Sequence, residues 1–293
     1  MLSKQKIKRQ INNITHIAEM LYSTELVGAS RLRRSQARLK EVSPYSDVIE
    51  ILLRDLLNGI DREKLAEYPL LWSPVEATRR LLMVVGGERG LCGGYIASLV
   101  KMCEQFVSNN PESDIVVYGS RTGKTLLRRG YNVIETYPLN PLLTFHNVEA
   151  ISNDIQRRFL NNRYSEVDII YISPQSALLS TPKETVLLPL ETSYKDYKEA
   201  KNIEEYIIEP SAETIVKTLV PMALTVRLYR IFLEAVTSEY SARRIAMHQA
   251  YENAKKMLER LNIIYQKLRQ NEITTEIIEV SSSKMALEEG YNE

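Results

Sequence analysis

Hydrophobic residues recur at alternating three- and four-residue intervals near both ends of the chain and in short continuous runs between them. By period alone, the 293-residue sequence divides into helix, mixed α/β segment and helix. In the C-terminal stretch, residues 225–287, Leu228, Ile231, Ala235, Ala242, Ile245, Met257, Leu261, Ile264 and Leu268 share one narrow seam. That is the a/d period of a supercoiled helix rather than the broad stripe of a globular one. Ala242, Ala246, Ala250 and Ala254 recur every four residues, a small-residue stripe that admits a second backbone closely. The first forty residues supply that backbone. Ile7, Ile14, Leu21, Gly28, Ser35 and Val42 fall seven apart, with Ile11, Ala18, Glu25, Leu32 and Leu39 between them. The pattern predicts an antiparallel coiled coil of the two chain ends, with Gly28 and Ala29 lying near Ala242 and Ala246. At a rise of about 1.5 Å per residue the two helices are roughly 80 Å and 95 Å long. A rod of that length suits a mechanical or scaffolding use.

Residues 3–57 read as one helix with a break expected near Pro44. A loop with Pro69, Trp72 and Pro74 follows, and then the period changes. Strands are predicted at 81–85, 114–118, 132–135 and 167–172, alternating with helices at 95–108, 122–129 and 148–160. This order argues for right-handed βαβ crossovers and a parallel sheet, and 185–190 adds an antiparallel edge strand. A charged connector spans 195–208. Ser211, after Pro210, is a good N-cap, and Pro221 is expected to kink or restart the helix it opens. The predicted fold class is α/β: a coiled coil of terminal helices, 1–57 and 211–287, with an inserted Rossmann-like domain, 75–195.

Composition changes this picture little. A hydrophobic content of 44% is ordinary for a folded chain, and 38 Lys plus Arg against 37 Asp plus Glu gives no global reason to expect nucleic acid. Cys92 and Cys103, in a chain whose charged start shows no signal peptide, read as reduced thiols of a cytosolic protein. No run approaches the roughly 20 apolar residues that span a bilayer, so any membrane association is expected through other subunits.

Two glycine-rich stretches invite a nucleotide reading. Gly119-Ser120-Arg121-Thr122-Gly123-Lys124-Thr125 follows a strand and opens a helix, but three residues rather than four separate its glycines, and no Walker B partner follows. Gly86-Gly87-Glu88-Arg89-Gly90-Leu91-Cys92-Gly93-Gly94 sits where dinucleotides bind in doubly wound folds, without the spacing of that fingerprint. The plainer reading is a tight turn at Gly90, Gly93 and Gly94, the last two letting the next helix pack closely on the sheet. The basic run from Arg31 to Lys40 is either a solvated helix flank or a contact for an acidic partner surface. His16, His146 and His248 have no metal-ligand spacing, and no catalytic triad assembles.

Several stretches resemble the gamma subunit of F-type ATP synthases. They are Val27-Gly28-Ala29-Ser30-Arg31-Leu32-Arg33, Glu88-Arg89-Gly90-Leu91-Cys92-Gly93-Gly94, Glu205-Tyr206-Ile207-Ile208-Glu209-Pro210, and Thr237-Ser238-Glu239 with Ala242-Arg243, Ala246-Met247 and Asn253-Ala254. Leu268-Arg269-Gln270, Ile273-Thr274 and Glu276 to Glu279 complete the set, in order over nearly the whole chain. The resemblance implies a central rotor shaft inside a ring of alpha and beta subunits, with the α/β domain near the epsilon subunit and the membrane c-ring. It implies that ATP, ADP and Mg are bound by those partners and none by this chain. It places the chain peripherally at the cytoplasmic face of an energy-transducing bacterial membrane, and puts ring-catch contacts at Arg269, Gln270, Thr274 and Glu279. One segment departs from the family: Glu19 and Tyr22 replace two lysines and Thr24 a methionine. That departure raises the alternative of a divergent rotary ATPase not coupled to ion transport. A passive coiled-coil scaffold and a nucleotide-binding enzyme are the readings from other classes.

Overall fold

The computed structural model describes residues 4–60, 65, 68–74, 77–140, 142–161, 163–176, 179–190, 209 and 211–289. The expected connector at 195–208 lies outside them. The chain divides into two compact units, Gly28–Arg244 and Met1–Val27 with Ile245–Glu293, so the division falls inside both long helices.

The N-terminal helix α1 (Lys4–Gly59) runs unbroken through Pro44, and the C-terminal helix α5 (Ala212–Glu289) runs unbroken through Pro221. Neither proline ends its helix: the break expected near Pro44 and the restart expected at Pro221 are absent. A proline inside a helix costs about 3 kcal/mol, whereas burying one large aliphatic side chain contributes roughly 1.5–3 kcal/mol. Leu32, Ile49, Leu53 and Leu56 are buried on either side of Pro44, as are Val216, Val220, Leu224 and Leu228 around Pro221. Packing therefore outweighs the lost hydrogen bond. Ser211 caps α5 as expected, its hydroxyl accepting from the Thr214 N–H at 3.2 Å.

Within Gly28–Arg244 the sheet contains β1 (Arg80–Val85), β2 (Asp114–Tyr118), β3 (Val133–Tyr137), β4 (Glu166–Pro174) and β5 (Ser180–Leu188) in the order β3-β2-β1-β4-β5. The first four are parallel, and β5 closes one edge antiparallel to β4. The connecting helices are α2 (Tyr95–Asn109), α3 (Ser120–Arg128) and α4 (Phe145–Leu160). Because side chains alternate across a strand, one face of the sheet presents Leu81, Met83, Val85, Val116, Tyr118, Val167, Ile169 and Tyr171. It packs with α4 and with buried residues of α1 and α5 in the larger core. The other face presents Leu82, Val84, Ile115, Val117, Ile170 and Ile172 to α2 and α3. Asp114, almost fully buried at the start of β2, is held by Arg79 at 2.5 Å, Arg163 at 2.9 Å, the Tyr164 hydroxyl at 2.8 Å and Asn132 at 3.0 Å.

In the same unit α1 and α5 run antiparallel: Gly28 lies beside Arg244, and Arg230 pairs with Asp47. The terminal unit repeats the direction independently. There Lys4 pairs with Glu272, His248 Nδ1 lies 3.2 Å from Glu25 Oε1, and the Tyr22 and Tyr251 rings are 5.4 Å apart. All eleven seam positions expected on α1 are buried or half-buried. On α5 the seam needs a correction, because Met257 and Ile264 are exposed. It passes through Met247, Tyr251, Ala254, Leu258, Leu261, Tyr265 and Leu268 instead.

Candidate functional site

The crevice beyond the carboxyl ends of the strands is where doubly wound sheets hold their ligands. Here α5 lies across it. Phe232 meets the Tyr118 ring edge-on at 5.2 Å, Ser173 donates to Glu234 at 2.7 Å, and the Tyr95 hydroxyl donates to the Ala235 carbonyl at 3.1 Å. The chain's own helix packs against the strand ends there.

The Gly119 loop is filled in the same way. A helix N-terminus preceded by a glycine turn attracts an anion, and the anion is the Glu88 carboxylate. It accepts from the Ser120 N–H at 2.9 Å, the Ser120 hydroxyl at 2.8 Å and the Leu139 N–H at 2.9 Å. Burial raises the Glu88 carboxyl, but these hydrogen bonds outweigh it and hold the group below its ordinary value. Gly119, at φ 128°, leaves no room for a side chain: a Cβ would lie 2.7 Å from the Gly86 carbonyl oxygen.

The glycine-rich turn differs from expectation in detail. Gly93 does adopt a left-handed φ of 57°, but an added Cβ at Gly90 or Gly94 meets nothing within 4 Å. Close approaches occur instead at Gly86, against Thr122, and at Gly123, against Thr136. Leu91 also has a positive φ, 62°, and its side chain is 67% exposed. Cys92 and Cys103 are free and buried, and burial raises both thiols, Cys103 to about 12.

Among the small residues, Gly28 is buried and a Cβ there would meet Arg244 at 3.9 Å. Ala29 and Ala246 are half-buried. Ala242 packs instead with the cluster containing Cys92 and Tyr95. The stripe does not stay on one side because each four-residue step overshoots a 3.6-residue turn.

The basic run borders a cleft of about 530 Å³, with Arg31, Arg34 and Arg38 facing Leu142, Leu143, Val236 and Tyr240. Arg34 donates to the Ser30 hydroxyl at 3.2 Å, Arg38 to the Leu143 carbonyl at 3.3 Å, and Arg31 lies 6.0 Å from the Tyr240 ring centre. No carboxylate pairs with these three guanidiniums among the described residues.

In the terminal unit, Arg269, Gln270, Thr274 and Glu279 are all exposed. The helix brings only Gln270 and Thr274 together, the Thr274 hydroxyl donating to the Gln270 carbonyl at 2.8 Å. At about 100° per residue, Arg269 and Glu279 point elsewhere round the helix. Their neighbours Ile273, Ile277, Ile278 and Val280 are large apolar residues that are all exposed; the first three lie in the family-like stretches, but sequence reasoning gave none of them a role. Their absence from the heptad seam was the available signal. The departures near Tyr22 find partners nearby: Tyr22 packs on Tyr251, Glu19 lies 3.5 Å from His16, and the Thr24 hydroxyl donates to the Met20 carbonyl at 2.8 Å. Among the described residues no acidic, His or Cys cluster suits a metal, and no helix is long and apolar enough to cross a membrane.

A family model described as ATP synthase matches residues 3–287. The ATP synthase gamma chain of Amoebophilus asiaticus is 31% identical over 97% of this chain and 98% of its own length, and that of Roseiflexus castenholzii 30% over 99% and 100%. Among solved structures, a chain of the Euglena gracilis mitochondrial ATP synthase, OSCP/F1/c-ring, matches with a TM-score of 0.71 at 15% identity, over 98% of this chain and 95% of that one. A chain of the Tetrahymena thermophila mitochondrial ATP synthase central stalk and c-ring matches at 0.62 and 19%, over 79% and 99%. From the family match and the full-length relatives together, the chain belongs to the ATP synthase gamma-chain family.

Proposed function

We propose that the chain is the central rotor shaft of a rotary ATP synthase, coupling ion flow in a membrane sector to ATP synthesis or hydrolysis in a ring of alpha and beta subunits. Its other partners are an epsilon subunit and a membrane c-ring. It has no catalytic site of its own, and ATP, ADP and Mg belong to the ring. It sits peripherally at the cytoplasmic face of an energy-transducing membrane. In functional terms 1–57 and 211–287 form the shaft and 75–195 the domain that meets the membrane sector. Arg31, Arg34 and Arg38, lacking carboxylate partners among the described residues, suit an acidic surface of a neighbouring subunit.

The observation that carries this reading is the far end of α5. Residues 262–284 are exposed except Tyr265 and Leu268, yet they include four large apolar side chains between Ile273 and Val280. Exposed apolar surface of this kind marks a contact with another protein. An asymmetric shaft there would contact three catalytic sites differently, and rotation would shift each site by the difference in binding free energy between its states.

The test is Arg269→Ala with Gln270→Ala in the assembled complex. A rotor predicts a clear fall in ATP turnover or in ion transport per ATP, with assembly unchanged. Intact turnover and transport would favour a passive scaffold.

A further inference from the structure

We infer that the turn of residues 88–94 is a mechanical joint that fixes the rotational register of α5 on the sheet, with Arg243 as its clamp and Glu88 as its anchor. This rests on the rotor reading, since a joint matters only if torque crosses it.

The first observation is a polar island where apolar packing would be expected. As α5 leaves the strand-end crevice, Thr237, Ser238, Glu239 and Ser241 are buried in succession. Thr237 Oγ1 and Ser238 Oγ have no hydrogen-bond partner among the described residues. Each such group costs roughly 1–3 kcal/mol, so this stretch is poorly explained by stability.

The second is what the island holds. Arg243 pairs with Glu239 one turn before it, with side chains only 12% and 7% exposed. Its guanidinium lies 3.5 Å from the carbonyl oxygens of both Arg89 and Gly90, and 5.8 Å from the Tyr240 ring centre. A buried ion pair is weak evidence for stability, and its best-attested use is to specify register. Nearby, the Tyr95 hydroxyl makes a second link, to the Ala235 carbonyl.

The third is the other side of the turn. Glu88 is fastened by three hydrogen bonds to the start of α3 and to Leu139. Between anchor and clamp, Leu91 keeps a left-handed backbone that costs a non-glycine residue about 1–3 kcal/mol, while its side chain stands mostly in solvent. The fastenings on both sides, rather than packing of Leu91, hold that conformation. Apolar contacts between α5 and the sheet are non-directional. The links through Arg243 and Tyr95 are directional, and with the hydrogen bonds of Glu234 to Ser173, Arg227 to Thr185 and Thr225 to Ser152 they set the angle of α5 about its own axis; only Arg243 ties the helix to the turn itself.

The experiment uses the assembled complex containing the full chain, immobilised by its ring, with a bead on the α/β unit. The bead's angular variance during a stalled hydrolysis step reads torsional stiffness. With Arg243→Gln the link of α5 to the turn is lost, while those through Tyr95, Glu234, Arg227 and Thr225 remain, so the variance should rise measurably while ATP turnover holds. Arg243→Lys keeps the charge beside Glu239 without the planar fork and should give an intermediate width. Tyr95→Phe keeps the ring packing, loses only the hydrogen bond to the Ala235 carbonyl, and should also broaden the distribution, which guards against failed assembly of the Arg243 variant. Unchanged variance in both Arg243→Gln and Tyr95→Phe overturns the joint. A complex that never rotates with the unmodified chain overturns the rotor reading, and the joint with it.

Discussion

Two stretches of the single helix α5 live in opposite surroundings. Every residue at 223–241 is buried or half-buried, whereas at 262–284 all but Tyr265 and Leu268 are exposed. Both stretches carry aliphatic residues at helical spacing, so the pattern that predicts a helix does not distinguish them. What separates them is the number of sides on which something packs. The first meets the sheet and α1 within one core, and a helix buried all round is apolar all round. The second covers only a narrow seam with its own chain. In the first stretch apolar residues stabilise the fold, and in the second they stand in solvent.

Substitutions should separate the two roles. Leu228→Ala empties a fully buried position and should cost roughly 2–5 kcal/mol in denaturant unfolding. A cost below about 1 kcal/mol would mean that the buried stretch is not part of the cooperative core.

A smaller effect should come from the sheet beside that core. Asp168 is buried, and its Oδ2 has no hydrogen-bond partner among the described residues, with Arg80 at 3.5 Å. Burial lifts its carboxyl to about 7 against the pull of Arg80, with Glu166 and Glu184 adding to the rise. The folded chain therefore holds this proton more tightly than the unfolded chain, whose value is near 4. Its contribution to stability is lost as pH rises from about 4 to 7 and is flat above that. Asp168→Asn should flatten that slope and stabilise the chain by roughly 2–4 kcal/mol at about pH 8, with little effect near pH 4. Thermal unfolding at the two pH values reads the difference, and equal shifts at both would contradict it.

The smallest stability effect belongs to the exposed stretch. Ile277→Ala should change unfolding by less than about 0.5 kcal/mol while weakening capture of partner subunits by the purified chain. A large loss of stability would show that this end is part of the folded core.

The same contrast explains what was legible in the sequence. The four parallel strands were, as short runs between turn residues, and so was the α1 seam; of β5 only 185–188 was, because 180–184 carries no apolar run, and the expected 189–190 lie beyond the strand. The helices through Pro44 and Pro221 were not, since side chains distant in sequence supply the packing that offsets each proline. The α5 register was half legible. Leu261 and Leu268 lie on the seam, but a three-and-four alternation fits Met257 and Ile264 as well as Leu258 and Tyr265, and only the partner helix decides. At the candidate site, Arg269, Gln270, Thr274 and Glu279 are exposed, and periodicity alone assigns them no role. The Glu88 contact was hidden for another reason: a carboxylate filling a helix N-terminus 32 residues away leaves no local pattern.

The most direct test of the central claim is native mass spectrometry of the complex that this chain forms, extracted in mild detergent. The rotor account predicts one copy of the chain with a six-membered nucleotide-binding ring and a membrane ring. Recovery of the chain alone, or with partners that lack the nucleotide-binding ring, would contradict it.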